Sequence, residues 1–411
     1  MSDFITRHRA TITIIICFMV ALFEGVDLQA AGVAAPRLLP LFKLSPQEAG
    51  VFFSASTFGL LGGAVCGGWL ADRIGRKRVL LASILIFGVF ALATVVARDF
   101  DGLVGLRFMT GVGLGGALPN MIALASENSP PDRRGFSVGL MYCGMPLGGA
   151  LASSINLAGS ADWRHVFYIG GIAPLILAPA LALCLHESKA IRSELAAARG
   201  ASLGDIWRTL FGEGRLIATV LLWTGFGFSL LVLYLLLNWL PSLLVSRGFS
   251  RTTASWAQVA FNLSGVVGSI GVGRLIDSPR RVWTTTISFA VTVIFLMTLA
   301  VAHGSPIVTI LIVGALGLGV MSNQSLLYAL APWCYPGPVR GTGVGFAVAV
   351  GRTGSLIGPL LAGQLLGAGQ TAGQVLAHMA PIIVIGALAT IILAGLLNRE
   401  RITASLVAVQ V

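Results

Sequence analysis

"GGWLADRIGRKR", residues 67–78, is a short and strongly basic interruption in a chain that is otherwise apolar. Four basic residues, Arg73, Arg76, Lys77 and Arg78, and one acid, Asp72, fall within seven positions. Long apolar runs that begin near residues 48 and 79 flank it. Such a segment reads as a tight loop between two membrane-spanning helices, kept on the cytoplasmic side by its positive charge.

The rest of the chain follows the same plan. Of 411 residues, 56% are hydrophobic and only 10% are charged, where a soluble protein carries roughly a quarter charged. The polar surface is too small to cover a water-soluble globule, so the chain reads as an all-α membrane protein. A spanning helix needs about 20 apolar residues. Twelve candidates begin near residues 11, 48, 79, 103, 136, 164, 215, 252, 283, 306, 341 and 375.

Charge supports this threading. With the N-terminus cytoplasmic, 19 Lys and Arg fall in cytoplasmic segments and six, Arg37, Lys43, Arg98, Arg164, Arg247 and Arg251, fall outside. That is the asymmetry the positive-inside rule demands, and an even number of spans returns the C-terminus to the cytoplasm. Arg7 and Arg9 precede a first run too long for a signal peptide, so it is expected to stay as a helix. The net charge of +11 is accounted for by these loops, and no basic stretch interleaved with aromatics suggests nucleic acid.

The longest polar interruption lies at about 187–214. It predicts two six-helix bundles, residues 1–187 and 215–411, joined by a cytoplasmic linker at 188–214. The halves look duplicated. "PPDRRGFSVG" (130–139) matches "PGPVRGTGVG" (336–345) at an offset of 206, and "GGWLADRIGRKR" is echoed by "GVGRLIDSPRR" (271–281) at about 205. Transporters commonly have this construction. Glycines at four-residue spacing, Gly59, Gly63 and Gly67, and again Gly354 and Gly358, predict close helix packing.

These stretches resemble the major facilitator superfamily. Gly68, Asp72, Arg73, Gly75, Arg76 and Lys77 match its loop signature between the second and third spans. "RFMTGVGLGG" (107–116) and "ENSPPDRRG" (127–135) are similar to its motifs in and after the fourth. The second-half copy of the loop signature departs from the pattern, with Ser278 after Asp277. Within the superfamily, "EGVD" (24–27) is similar to the D-G-x-D motif of the aromatic acid:proton symporters, with Glu24 in place of the first Asp. "LNWLPSLL" (237–244) and "GRTGSLIGPLLAG" (351–363) also look like that family. "GALPNMIAL", "LMYCGMPLGGAL" and "SLLYALAPWCY" resemble its 3-(3-hydroxyphenyl)propionate transporters. The resemblance implies a monomeric, proton-coupled importer of an aromatic carboxylic acid in the bacterial inner membrane. Another small organic anion, or drug/proton antiport, is the alternative.

The carboxylates can also be read from physics alone. Glu24 and Asp27 stand three residues apart, on one helix face, about 13 to 17 residues into the first span. A charge at the bilayer centre costs about 2.5–3.5 kcal/mol on insertion scales. Removal from water and mutual repulsion both favour the protonated acid, and a carboxyl that takes up and releases a proton is what a proton carrier needs. A structural ion pair is the plainer alternative.

Arg107 in the fourth span lies roughly level with Asp27, counting at about 1.5 Å per residue. It would pair with Asp27 when the acid is charged, or else snorkel to the outer interface. Arg352 lies near the middle of the eleventh span. There its planar fork suits a substrate carboxylate, with pairing to Glu24 as the alternative.

Asn262, Asn323, Gln324, Tyr234, Tyr142 and Phe23 are polar or aromatic residues at suitable depth to line a binding site, or simply to pack helices. The resemblance gives Asp72, with Arg73, Arg76 and Arg134, a role as a latch on the cytoplasmic side; charge topology alone also explains the basic residues.

Other classes lack their chemistry. None of the three lysines follows a glycine, so there is no phosphate-binding loop for ATP. Five histidines and five cysteines show no metal or disulfide spacing. No cofactor, metal or enzymatic activity is expected.

Overall fold

The computed structural model describes residues 2–129, 134–157, 162–185, 207–208, 210–212, 214–275, 281–302, 304–335 and 340–409. Described elements are helical: α1 (Ser2–Leu41), α2 (Pro46–Ile74), α3 (Arg76–Thr94), α4 (Phe100–Glu127), α5 (Arg134–Tyr142), α6 (Gly144–Leu157) and α7 (Arg164–Cys184) come first. After them follow α8 (Leu216–Ser246), α9 (Arg251–Leu275), α10 (Arg281–Val301), α11 (Pro306–Leu330), a 3-10 turn (Ala331–Cys334), α12 (Arg340–Gly367) and α13 (Ala372–Val409). Most of the linker expected at 188–214 lies outside the described residues.

Local chemistry sets the joints. Ser45 and Glu48 form a capping box at the start of α2, with Pro46 in the first turn. Asp99 caps α4 by accepting from Gly102 N at 2.8 Å. Between α2 and α3, Gly75 adopts φ 103°, a conformation open to glycine and strained for other residues. That is the physical reason for the glycine inside the "DRIGRK" turn.

The fifth predicted span is two helices, α5 and α6, with a joint at Cys143. Pro146 has no N–H to give to the Tyr142 carbonyl, so the helix ladder breaks there. Among the described residues, eleven helical segments have the length and apolarity to cross a membrane. The eighth predicted span is occupied by α9, 25 residues long, whose Thr252, Thr253, Ser255, Gln258, Asn262 and Ser264 keep it more polar than the other eleven. Large apolar side chains such as Val65, Ile176, Leu183, Ile307 and Leu311 are exposed, as lipid-facing surfaces require and water-facing ones avoid. Cys66 and Cys184 also lie exposed, unlike the buried Cys17 and Cys334.

Contacts divide the chain into two compact units. One comprises Met1–Arg199 with Asn238–Val259, the other Gly200–Leu237 with Ala260–Val411. In the first, Leu80, Ile84 and Phe87 of α3, Leu114 and Met121 of α4, and Leu181 of α7 share a buried core with Ile16 and Val20 of α1. The segment 238–259 joins this unit through Trp239, edge-on to Phe53 at 5.0 Å, and through Gln258, which donates to Gln29 at 2.9 Å. In the second unit, Thr219 of α8 donates to the Leu210 carbonyl at 2.6 Å and accepts from the Tyr335 hydroxyl at 3.1 Å. Arg281 at the start of α10 stacks over Trp333 at 4.6 Å.

Each unit is built on glycine contacts that repeat at the sequence offset. Gly59 of α2 lies against the Phe108 backbone of α4, and Gly265 of α9 lies against Met321 of α11. Gly111 of α4 meets the Ser56 backbone, and Gly317 of α11 meets that of Phe261. Gly148 of α6 meets the Leu22 backbone of α1, and Gly354 of α12 meets that of Gly227 of α8. Within each of these three pairs the glycines differ by 206 in number. In two of these pairs, Gly111 with Gly317 and Gly148 with Gly354, both glycines let backbones touch, whereas Gly265 meets the Met321 side chain.

Two glycines of α4 give a test. A Cβ on Gly111 would overlap the Ser56 backbone, whereas one on Gly105 meets nothing within 4 Å. Gly105→Ala should hold or slightly raise the melting temperature, since alanine adds up to about 1 kcal/mol of helix propensity over glycine. Gly111→Ala should lower it by several degrees. Equal effects in a detergent melting assay would contradict the packing described here.

Candidate functional site

In the first unit the site grows from α1 and α4. The glycine seam between α2 and α4 fixes the height of α4, and with it Arg107. Gly25 and Gly148 bring α6 against α1 around residues 22–26, which closes the surroundings of Glu24 and Asp27. Both acids are fully buried, and Arg107 is 1% exposed. Arg107 Nη1 donates to both carboxylate oxygens of Asp27, at 2.8 and 3.0 Å, and Nη2 donates to the Asp27 backbone carbonyl at 3.1 Å. The guanidinium also sits over the Phe167 ring of α7 at 5.7 Å. Its Nε meets no acceptor among the described residues.

This pair is held from three sides, by two side-chain bonds, a backbone bond and a ring. A buried ion pair loses much of its attraction to the cost of desolvation, but removing one partner strands the other charge. Protonating Asp27 would remove its charge and leave Arg107 to find another anion.

In the second unit a separate constellation lies on α8, α10, α11 and α12. Gly351, Gly354 and Gly358 pack on Phe226, Gly227 and Leu231, so α12 and α8 run in contact. That contact brings Arg352 to Tyr234: Arg352 Nη1 donates to the Tyr234 hydroxyl at 2.5 Å, and the guanidinium carbon is 5.8 Å from the ring centroid. Both side chains are buried.

Asn323 is tied between helices. Its amide N–H donates to Thr292 Oγ1 at 2.8 Å, and its carbonyl accepts from Ser288 at 2.6 Å. Gln324, one residue on, is 7% exposed, and neither end of its amide has a hydrogen-bond partner among the described residues. Buried amides without partners are rare and call for a function or an unseen ligand. Asn262 is fully buried in α9.

The remaining residues take varied places. Tyr142 ends α5 and packs half-buried against the core of the first unit. Phe23 is half-buried on α1. Of the cytoplasmic cluster, Arg73 lies over the Trp69 ring at 3.7 Å, and Arg76 begins α3. Asp72 belongs to α2 and Arg134 begins α5; their side chains lie outside what the structure describes. No cluster of three or more His, Cys, Asp or Glu side chains suited to a metal occurs among the described residues.

Comparison with known proteins fits this architecture. The sequence profile of the Major Facilitator Superfamily matches residues 17–359, and the chain belongs to that superfamily. It is a multi-pass membrane transporter, not an enzyme. It is 45% identical over 399 residues to a 3-(3-hydroxy-phenyl)propionate transporter of Escherichia coli, covering 97% of this chain and 96% of the other. To the 4-hydroxybenzoate transporter of Pseudomonas putida it is 31% identical, covering 95% and 93%. The fold is that of the D-xylose-proton symporter structure, with a TM-score of 0.75 over 94% of this chain and 97% of the other, at 17% identity.

The ion pair makes its own prediction. Arg107→Met strands the Asp27 charge and should cost about 3–5 kcal/mol, or abolish recovery of folded protein. Adding Asp27→Asn removes that charge and should restore much of the loss. Purely additive losses in the double variant, by thermal melting, would show that the two side chains do not depend on each other.

Proposed function

We propose that the chain is a proton-coupled symporter that imports an aromatic carboxylic acid of the 3-(3-hydroxyphenyl)propionate type by alternating access. On this reading it works as a monomer in the bacterial inner membrane with both termini in the cytoplasm. The observation that carries it is the buried Asp27–Arg107 pair, in a chain 45% identical to a transporter of that substrate. Asp27 exchanges its proton, Glu24 three residues before it tunes that exchange, and Arg107 holds the charged form. Arg352 receives the substrate carboxylate in its planar fork. Tyr234, already bonded to Arg352, and Gln324, whose amide has no partner among the described residues, suit the ring and its hydroxyl. The Asn323 amide is taken up in joining α10 to α11, so we leave it to helix packing.

Two variants test the separate roles. Asp27→Asn should abolish proton-driven accumulation in proteoliposomes, since an amide cannot cycle a proton, while substrate counterflow survives in part. Arg352→Ala should weaken binding of the acid about ten- to hundred-fold, the worth of one charge-assisted bond. It should weaken binding of the corresponding amide far less. Full accumulation by Asp27→Asn sinks the proton role. Equal weakening of acid and amide makes Arg352 structural.

A further inference from the structure

The chain that leads into α8 folds back along it. Leu210 is 3% exposed, and its carbonyl accepts from Thr219 Oγ1 at 2.6 Å, so this chain reaches the level of the first turn of the helix. The Arg208 carbonyl accepts from Gly212 N at 2.8 Å and from Arg215 Nη2 at 3.2 Å. Phe211 stands edge-on to Trp223 of α8 at 5.6 Å, and Trp207 lies against Phe211 at 4.5 Å. Hydrogen bonds and a row of three rings thus hold Trp207 and Arg208 beside the helix. All these residues belong to the second compact unit.

The length of α8 sets the depth of this patch. The helix offers 31 residues apolar enough to cross a membrane, a length of about 46 Å at about 1.5 Å per residue. A bilayer is about 40–45 Å thick with its polar layers, and its hydrocarbon core is about 30 Å. The ends of α8 therefore fall in the headgroup layers, and Trp207 and Arg208 lie there with the first turns. On those turns Leu216, Ile217 and Val220 are 52%, 63% and 47% exposed, a stripe suited to acyl chains. Trp223 follows Leu216 and Val220 on the same side of the helix, so the rings of Phe211 and Trp207 extend the stripe towards the membrane surface. Trp207 is 67% exposed, and an indole at the boundary between acyl chains and headgroups is in its favoured setting. Arg208 beside it is exposed. Arg208 and Arg215 are the only charged residues among the described ones from 207 to 223, so the patch is positive where headgroup phosphates lie.

We propose that this patch binds the headgroup of an anionic phospholipid. The headgroup phosphate accepts from the Arg208 and Arg215 guanidiniums. The Trp207 indole lies just beneath it, and the acyl chains follow Leu216, Ile217 and Val220. Two guanidiniums favour an anionic headgroup over a zwitterionic one, and the apolar stripe favours a lipid over free phosphate. A bound lipid holds the end of the linker between the two predicted bundles at the membrane surface. The site uses none of the residues assigned to substrate or proton.

The test places the purified wild-type chain in nanodiscs of phosphatidylcholine doped with lipid whose acyl chains are brominated, since bromine quenches tryptophan on contact. Subtracting the same titration of Trp207→Phe isolates the emission of Trp207. The proposal expects brominated phosphatidylglycerol to quench that component at a lower mole fraction than brominated phosphatidylcholine does. Arg208→Gln should cut this preference about five-fold, the worth of one basic residue near an anionic surface. Arg208→Lys, which keeps the charge at an exposed position, should retain most of it.

If neither brominated lipid quenches Trp207, the ring does not meet the bilayer and the site is overturned. Equal quenching by the two lipids, or a preference indifferent to Arg208→Gln, overturns the choice of an anionic headgroup. Inorganic phosphate at matched ionic strength is the last arm. If it abolishes the preference for phosphatidylglycerol, the patch holds free phosphate and the lipid assignment is wrong; the proposal expects the preference to persist.

Discussion

Asp27 and Arg107 bring full opposite charges together inside an apolar helical unit, where neither meets water. Much else in that unit serves this contact. The seam of Gly59, Gly63, Gly111 and Gly115 lets α2 and α4 approach until backbones touch, which fixes how deep Arg107 lies. Gly25 and Gly148 do the same for α6 against α1. Phe167 offers its ring to the guanidinium, and the Asp27 carbonyl accepts a bond that does not depend on the state of its side chain. That backbone bond is independent of a charge that one proton would remove, whereas the side-chain bonds are not, which is the property the proposed coupling uses.

The fold was legible because membrane physics leaves few choices. Apolar runs of about 20 residues must be helices, and basic loops orient them. Twelve spans and their order could be read from this, and the superfamily from "GGWLADRIGRKR". The duplication was visible in two loop echoes, but its structural expression lay elsewhere. The offset of 206 also links Gly111 to Gly317 and Gly148 to Gly354, and these glycines make similar backbone contacts in the two units. The break at Cys143 was written in Pro146, but a proline in a membrane helix can bend it as well as break it. The order of the spans placed α9 in the membrane although its Thr, Ser, Gln and Asn residues make it less apolar than its neighbours.

The site was legible in part. Counting residues along the helices put Asp27 and Arg107 at one depth, and the structure bonds them. Depth alone could not tell which polar residues are committed to helix packing. Asn323 and Gln324 are adjacent and chemically alike, yet one joins Ser288 and Thr292 while the other has no partner among the described residues. That difference is a matter of helix rotation, about 100° per residue, which sequence does not report without a partner in view. The bond between Arg352 and Tyr234 crosses 118 positions.

The central claim is that proton movement and substrate movement are one event. It is tested most directly by recording both fluxes together in proteoliposomes containing the wild-type chain, with labelled 3-phenylpropanoate and a trapped pH indicator, at zero imposed gradient. The account predicts that an inward substrate gradient acidifies the lumen in fixed proportion to the acid taken up, beyond what empty liposomes show, and that a protonophore abolishes the signal without stopping uptake. Uptake with no protein-dependent proton flux would contradict it.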